Sequence, residues 1–404
     1  MANTKKKKSS TILAKGSMDI PFFLILMTIV TIGLVMLFSA SYTYSYYHRN
    51  GDSLYIFKRQ LAFVILGVIC MYLISRIRYE YFRVFAIAGA IISVILLAVV
   101  LVLPEVKPGF KRWINLGFTT FQPSEIAKIG LILILAYLLE KNYKSITGKV
   151  PSEAYLAKKI KGLSNGRIVV YKSFTTVILY GLLILLFAGL IYLENHVSGT
   201  LLILAIGVMM MFLGEADYRW FVLAAGIVVA GAIILISNPK FLEDYAGERI
   251  TAWLDKDYKP TGARWQTNNS LYAIGSGGFL GTGLGQSKQK HLYVSEPQND
   301  FIFAIVCEEL GFLGASIIIG LFGALVYRGI KVGMMAKDRF SALLCMGISF
   351  HIGIQVALNI AVVTDFFPNT GISLPFFSAG GTSVLILLCE MGMLLSVSRA
   401  NNRK

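Results

Sequence analysis

The chain has 404 residues, 56% of them hydrophobic and only 15% charged, with a formal net charge of +16. A soluble domain spreads about 25% charged residues over its surface, so a soluble globule, a disordered chain and a collagen-like chain are all excluded. The basic residues fall between long apolar runs, which assigns them to membrane topology rather than to nucleic acid and marks an integral membrane protein.

About twenty apolar residues cross a bilayer as a helix, and uninterrupted runs of that length predict an all-α fold rather than a barrel. Ten spans are expected: 19–40, 59–75, 84–103, 122–139, 173–193, 197–213, 220–237, 299–326, 340–363 and 374–397. The basic cluster Lys5 to Lys8 before the first run resembles a signal peptide, but the run exceeds a signal core and reads as an uncleaved helix. The run 299–326 is long enough to require tilt or a projecting end. Lys and Arg concentrate in alternate connections, so the positive-inside rule places both termini in the cytoplasm. The chain thus reads as a single membrane domain over 1–404. It has a basic tail at 1–18, a basic cytoplasmic loop at 140–172 and one large structured extracytoplasmic loop at 238–298. Cys70, Cys307, Cys345 and Cys389 all sit in apolar runs without a CxxC pair, and the four histidines are scattered. Neither a disulfide framework nor a His or Cys metal cluster is expected.

Four blocks carry polar groups where a membrane protein places them sparingly. The first runs from Gly109 through Lys111, Arg112 and Trp113 to Gln122-Pro123-Ser124-Glu125 and Lys128. Pro123 fits a first helical position, and Glu125 and Lys128, three apart, share a face. They read as a capping acid with an internal ion pair, or as a binding pair. A charge near the bilayer centre costs about 2.5–3.5 kcal/mol, which favours function for Lys128. Lys111 and Arg112 read as snorkelling cations or as ligands to an anion. The second block, Trp265 to Gly285, is rich in glycine but matches neither GxGxxG nor GxxxxGK[ST], so no nucleotide site is expected. Its glycines either let backbone amides approach an anion or sugar, or serve tight turns. The third, Glu296-Pro297-Gln298-Asn299-Asp300 continuing to Glu308-Glu309, opens a span. Asp300 alone reads as a helix-dipole partner or a catalyst, and Glu308 and Glu309 as functional acids, packing residues or partners of Lys128. In the fourth, Gln355 and Asn359 share a face and precede the Pro- and Gly-rich stretch 368–383, which includes Ser378, Gly380 and Gly381. Irregular backbone at membrane depth needs a protein-lined or wet cavity, so a cavity open to the outer face is expected.

Together, in this order and with ten spans, the blocks resemble the SEDS family (shape, elongation, division and sporulation) of cell-wall proteins, which includes FtsW, RodA and SpoVE. Gly51-Asp52-Ser53-Leu54-Tyr55 before Lys58-Arg59-Gln60, and the run Tyr293 to Phe303, resemble the FtsW and SpoVE branch more than RodA. Two stretches depart from the usual family pattern: Glu194 to Thr200, and Thr364-Asp365-Phe366.

The resemblance implies a bacterial plasma-membrane peptidoglycan glycosyltransferase that polymerises lipid II. Its implied partners are membrane lipid and a single-span class B penicillin-binding protein acting as transpeptidase, with no nucleic acid. It also implies that Asp300 is the essential acid. Forming a β-1,4 bond from an α-linked donor inverts the anomeric carbon, so one base and charge compensation for a departing pyrophosphate are needed. Asp300 is the expected base. An unshifted Asp, pKa about 3.9, is a weak base, so burial and neighbours such as Glu296 would have to raise it. Lys111, Arg112, Lys128 and Arg249 are expected around the pyrophosphate, with Glu125, Ser378, Gly380 and Gly381 completing the substrate site. A divalent cation, Mg or Mn, would suit the same phosphates, although no ligand set for it is readable. The competing functions are a lipid II flippase, which needs no base, and a non-catalytic scaffold for the transpeptidase.

Overall fold

The computed structural model describes residues 12–14, 16–106, 109–117, 119–146, 165–222, 226, 245–259, 262 and 264–402. In chain order these form α1 (Ile20–His48), α2 (Tyr55–Arg76), α3 (Tyr79–Val102), the strands β1 (Ile114–Asn115) and β2 (Thr120–Phe121), α4 (Pro123–Lys141), α5 (Tyr143–Ile146), α6 (Asn165–Leu193), α7 (Val197–Leu213), α8 (Tyr245–Leu254), α9 (Trp265–Gly277), α10 (Ile302–Met334), α11 (Arg339–Val363) and α12 (Gly381–Asn401). Nine of the ten expected spans coincide with a helix, and the tenth, 220–237, lies almost wholly outside the described residues, as does most of the basic loop at 140–172. Among the described residues seven helices are long and apolar enough to cross a membrane. α4 carries too many charges and α7 is too short for that criterion.

Local signals explain where helices begin. Asp19 caps α1 by accepting from Phe22 N at 2.9 Å, with a proline in the first turn, and Asp338 caps α11 by accepting from Ser341 N at 2.9 Å. Pro123 opens α4 as expected. α12 starts at Gly381 rather than 374, because Leu374 to Gly380 form turns that bond to other segments instead of continuing a helix. α1, at 29 residues, spans roughly 44 Å and outreaches a hydrocarbon core of about 30 Å.

α2, α3 and α6 expose apolar stripes such as Ile65, Leu66, Ile69 and Leu73 on α2, surfaces that suit lipid rather than water. α4 is buried on nearly every side, the pattern of a central helix. Arg399 Nη1 donates to Gly16 O and Asn402 Nδ2 to Ser17 O, so both ends of the described chain meet at one end of the bundle. The two strands make a small antiparallel hairpin, Ile114 opposite Phe121, which the sequence reading did not anticipate.

α10 is broken at Gly311 (φ 67°, ψ −172°). The break leaves carbonyls and amides without helical partners, and the glycine-rich block supplies them. Thr282 N and Gly283 N donate to Glu308 O and Glu309 O (2.9 and 3.1 Å), while Phe312 N and Leu313 N donate to Gly278 O and Phe279 O (2.9 and 3.1 Å). A methyl group on Gly281 or Gly311 would lie 2.2 Å from backbone of the other segment. Gly281 and Gly311 therefore serve a backbone crossing. Glu308 and Glu309 belong to the same junction. Glu308 accepts from Ser287 Oγ and Lys288 N, and Glu309 from Lys290 Nζ (2.9 Å) and Ser39 Oγ (2.6 Å). Of the alternatives open for these acids, the hydrogen-bonded packing network forms and the pairing with Lys128 does not.

Two helices, α8 and α9, lie in the expected outer loop. Arg264 binds it to the end of α11, reaching Asp365 Oδ2 at 2.7 Å and Ala252 O at 2.6 Å, while Trp253 Nε1 donates to Asp365 O at 3.1 Å. Asp365, one of the residues that depart from the family pattern, is thus the anchor of this loop.

Candidate active site

A cavity of about 550 Å³ opens among α1, α2, α4, α7, α8, α11, the hairpin and the turn before α12, within the usual range for a ligand site. α1 ends and α12 begins at this cavity, so it lies at the end of the bundle opposite the chain termini. Its wall carries five basic side chains, Arg49, Arg59, Arg112, Lys128 and Arg249, against three acids, Glu125, Glu296 and Asp300. The surplus of positive charge suits an anionic ligand.

Asp300 sits in the turn just before α10 and lines the cavity. Its backbone is held, and its carboxylate is closely approached. Asn359 Nδ2 donates to Asp300 O at 2.7 Å and to Ile372 O at 2.6 Å, and Gly371 (φ +74°) passes so near that a Cβ there would lie 3.2 Å from Asp300 Oδ2. Glu296 is braced by Asn299 Nδ2 at 2.6 Å. In the first turn of α4, Glu125 Oε1 pairs with Lys128 Nζ at 2.9 Å, and both are buried. The expected shared face is therefore an ion pair in the cavity wall. Lys128 Nζ also donates to Gln355 Oε1 at 3.3 Å.

Arg112 donates to Asn195 O and lies over the Phe110 ring at 4.6 Å. Arg249 donates to Asn369 O at 2.9 Å, tying α8 to the stretch before α12. Lys111 is placed apart from these residues. It does not line the cavity, and its ammonium turns back to Leu101 O at 3.3 Å, where the last turn of α3 presents unpaired carbonyls to a cation.

The α12 approach is held from α2. Gln60 Nε2 donates to Ser378 O at 3.2 Å and Gly380 N donates to Gln60 Oε1 at 3.1 Å. Ser378 Oγ accepts from Leu374 N (2.7 Å) and donates to Asn299 O (2.8 Å), so its hydroxyl staples two turns together. Gly381 faces the Phe63 ring, leaving no room for a side chain. All three expected residues line the cavity, Ser378 and Gly381 as parts of its frame. α12 starts there without a side-chain cap, so its first amides are available to an anion.

The sequence reading gave no role to Arg49, Arg59 or His196. Arg59, whose Nη2 donates to Thr119 Oγ1 at 2.6 Å, lies in the Lys58-Arg59-Gln60 run that supported the family resemblance, and that was its available signal. His196 lies 3.4 Å from Gln122 Nε2. Burial, then the charges of Arg112 and Lys128, hold its imidazole well below the ordinary range, so it stands neutral. Two residues before it, Glu194 is fully buried, and burial, partly opposed by Arg112, pushes its carboxyl up to about 8. Among the described residues no group of three or more His, Cys, Asp or Glu side chains forms a metal cage.

The family model of the FtsW, RodA and SpoVE cell cycle proteins matches residues 20–403. Stage V sporulation protein E of Bacillus subtilis (strain 168) is 37% identical over 392 residues, covering 95% of this chain and 98% of that protein. A probable peptidoglycan glycosyltransferase FtsW of Trichlorobacter lovleyi is 34% identical over 383 residues, covering 94% of this chain and 93% of that one. A solved chain from a peptidoglycan synthase complex that coordinates polymerization and crosslinking superposes with a TM-score of 0.74 at 24% identity, over 96% of this chain and 99% of that one; this likeness bears on the fold. The chain is a multi-pass membrane protein and belongs to the FtsW, RodA and SpoVE family of cell cycle proteins.

Proposed function

We propose that the protein polymerises lipid II into β-1,4 glycan, with Asp300 as general base at the outer face of the membrane. The observation that carries this reading is the position of Asp300: a carboxylate on a braced stretch of backbone, in the wall of a cavity whose other charged groups are mostly cationic. A sugar pyrophosphate needs both features.

In the proposed step the acceptor GlcNAc 4-hydroxyl gives its proton to Asp300 as its oxygen attacks the donor's anomeric carbon. The bond from that carbon to the pyrophosphate oxygen breaks on the opposite face, inverting the centre. The undecaprenyl pyrophosphate leaves with the bonding pair. Arg59, Arg112, Lys128, Arg249 and the first amides of α12 offset its charge, a contribution that is large in a site sheltered from water. Glu125, paired with Lys128, aims its ammonium. A Mg or Mn ion on the substrate phosphates would add to that compensation, and Glu296 is the cavity carboxylate left to hold it, since Asp300 is the base and Glu125 is paired with Lys128. We further assign a class B transpeptidase as partner, supported by the likeness to a chain of a synthase complex.

General-base help is worth about 10²–10⁴-fold. Asp300→Asn, purified and folded, should lose at least about 10²-fold of glycan formation from lipid II. Retention of long glycan by that variant would remove the base and favour the transport reading.

A further inference from the structure

One face of α11 carries a polar stripe at helical spacing, His351, Gln355 and Asn359, all buried. The stripe continues below the cavity to Glu390 on α12, and the hydrogen-bond inventory fixes how its protons lie. Gln355 Nε2 donates to Ser373 O at 3.0 Å, so the amide oxygen must face the other way. There it meets Lys128 Nζ at 3.3 Å and His351 Nε2 at 3.0 Å. An amide oxygen only accepts, so His351 must carry its proton on Nε2. Its Nδ1 lies 3.0 Å from Glu390 Oε2, and both side chains are completely buried. If Glu390 were ionised beside a neutral His351, the ring proton would be drawn to Nδ1 and a lone pair would face the oxygen of Gln355. The network therefore requires the pair to hold one more proton, either as imidazolium with carboxylate or as imidazole with carboxylic acid. Either way the pair is neutral overall, which suits its depth.

We infer that His351, locked by Glu390, is a positioning residue for Lys128, acting through Gln355. The same stripe, through Asn359, holds the backbone of Asp300, so one helix face sets both the cation and the base. A structural pair deep in a bundle normally serves packing alone. Here its donor ends on the one oxygen that also receives the cavity lysine.

The test replaces both members, His351→Phe with Glu390→Leu, because removing one would strand a buried polar partner whereas an apolar pair of similar shape is well tolerated. Binding is read with lipid II carrying a fluorophore on its peptide, on an Asp300→Asn background where turnover is suppressed. The double change is expected to weaken binding about tenfold while the thermal midpoint is kept. On a Lys128→Met background it should add nothing. In the chain with Asp300 intact, KM should rise more than kcat falls. His351→Gln, which keeps a donor toward Gln355, should recover most of the binding. A structure of the double variant reads the same point without ligand, with Lys128 Nζ expected beyond hydrogen-bond reach of Gln355 Oε1. Unchanged binding with an unchanged Lys128 overturns the inference, and so does a loss fully additive with Lys128→Met. The ligand arms rest on the polymerase reading, but absence of glycan from the unaltered chain would refute that reading alone, since the structural arm still reports on Lys128.

Discussion

Gly371 has a left-handed backbone, φ +74°, and its missing side chain leaves room for the carboxylate of Asp300. Alanine there meets strain of about 1–2 kcal/mol and pushes a methyl group 3.2 Å from Asp300 Oδ2. Misplacing a reacting group by an ångström costs on the order of 10²-fold, and a shift of a few tenths should cost about tenfold. Gly371→Ala is therefore expected to lower glycan formation about tenfold with the fold retained, as read by polymerisation and thermal unfolding side by side. Glu194 makes a separate prediction, for stability. Both its oxygens are buried and reached by no hydrogen bond among the described residues. Its carboxyl, raised to about 8, binds a proton more tightly folded than unfolded. The stability it contributes is complete at low pH and drains away as pH climbs from the ordinary carboxylate range through about 8. At pH 7 the loss is about 3 kcal/mol. Glu194→Gln cannot ionise, so its unfolding midpoint should gain steadily on that of the unaltered chain from pH 5 to 8, His196 contributing equally to both curves. Parallel curves would show that Glu194 is not held neutral.

At the scale of elements, long apolar runs fixed most spans, because hydropathy and length act through the chain itself. The pair Glu125 and Lys128 was legible for the same reason, three residues apart on one helix. Interruptions were harder to read. The run 299–326 looks continuous in sequence, yet Gly311 breaks α10, and only the distant block 278–283 makes that break tolerable by filling its open hydrogen bonds. The start of α12 was misplaced for a related cause, since Gln60 and Gln298 bond to its approach from elsewhere in the chain. This crossing is sensitive to a single carbon. Gly281→Ala would place a methyl group 2.2 Å from Glu309 O at φ +82°, and backbone on both sides leaves little scope to relax. Strain and overpacking together should cost about 3 kcal/mol. The expected result is a clear drop in thermal midpoint with loss of polymerisation, whereas alanine at Gly285, which has nothing within 4 Å of its Cβ position, meets only the strain of its backbone.

Across the whole molecule, the cavity is assembled from residues as far apart as Arg49 and Ser383. That assembly explains what the sequence concealed. Asp300, Arg112 and Lys128 stand in dense local motifs, while Arg49, Arg59 and His196 become neighbours of the site only when α1 packs on α2, α2 on α12, and α7 on α4. Lys111 shows the converse, sitting in the right motif but turned toward the end of α3. The outer loop extends the same logic, because Arg249 reaches the cavity only while α8 is held against the end of α11. Arg264 and Asp365 supply that hold through a buried contact of 2.7 Å. Removing one member of such a pair strands the other's charge and typically costs about 3–5 kcal/mol, whereas removing both is far milder. Arg264→Met should therefore lower the thermal midpoint and reduce glycan formation together, as the loop loosens and Arg249 drifts from the cavity. Asp365→Leu added to it should recover most of the midpoint. Activity should return with it only as far as Trp253 still docks on the α11 end, so the two recoveries, measured on the same preparations, separate charge burial from loop placement. Full activity in Arg264→Met alone would show that this anchor does not place Arg249.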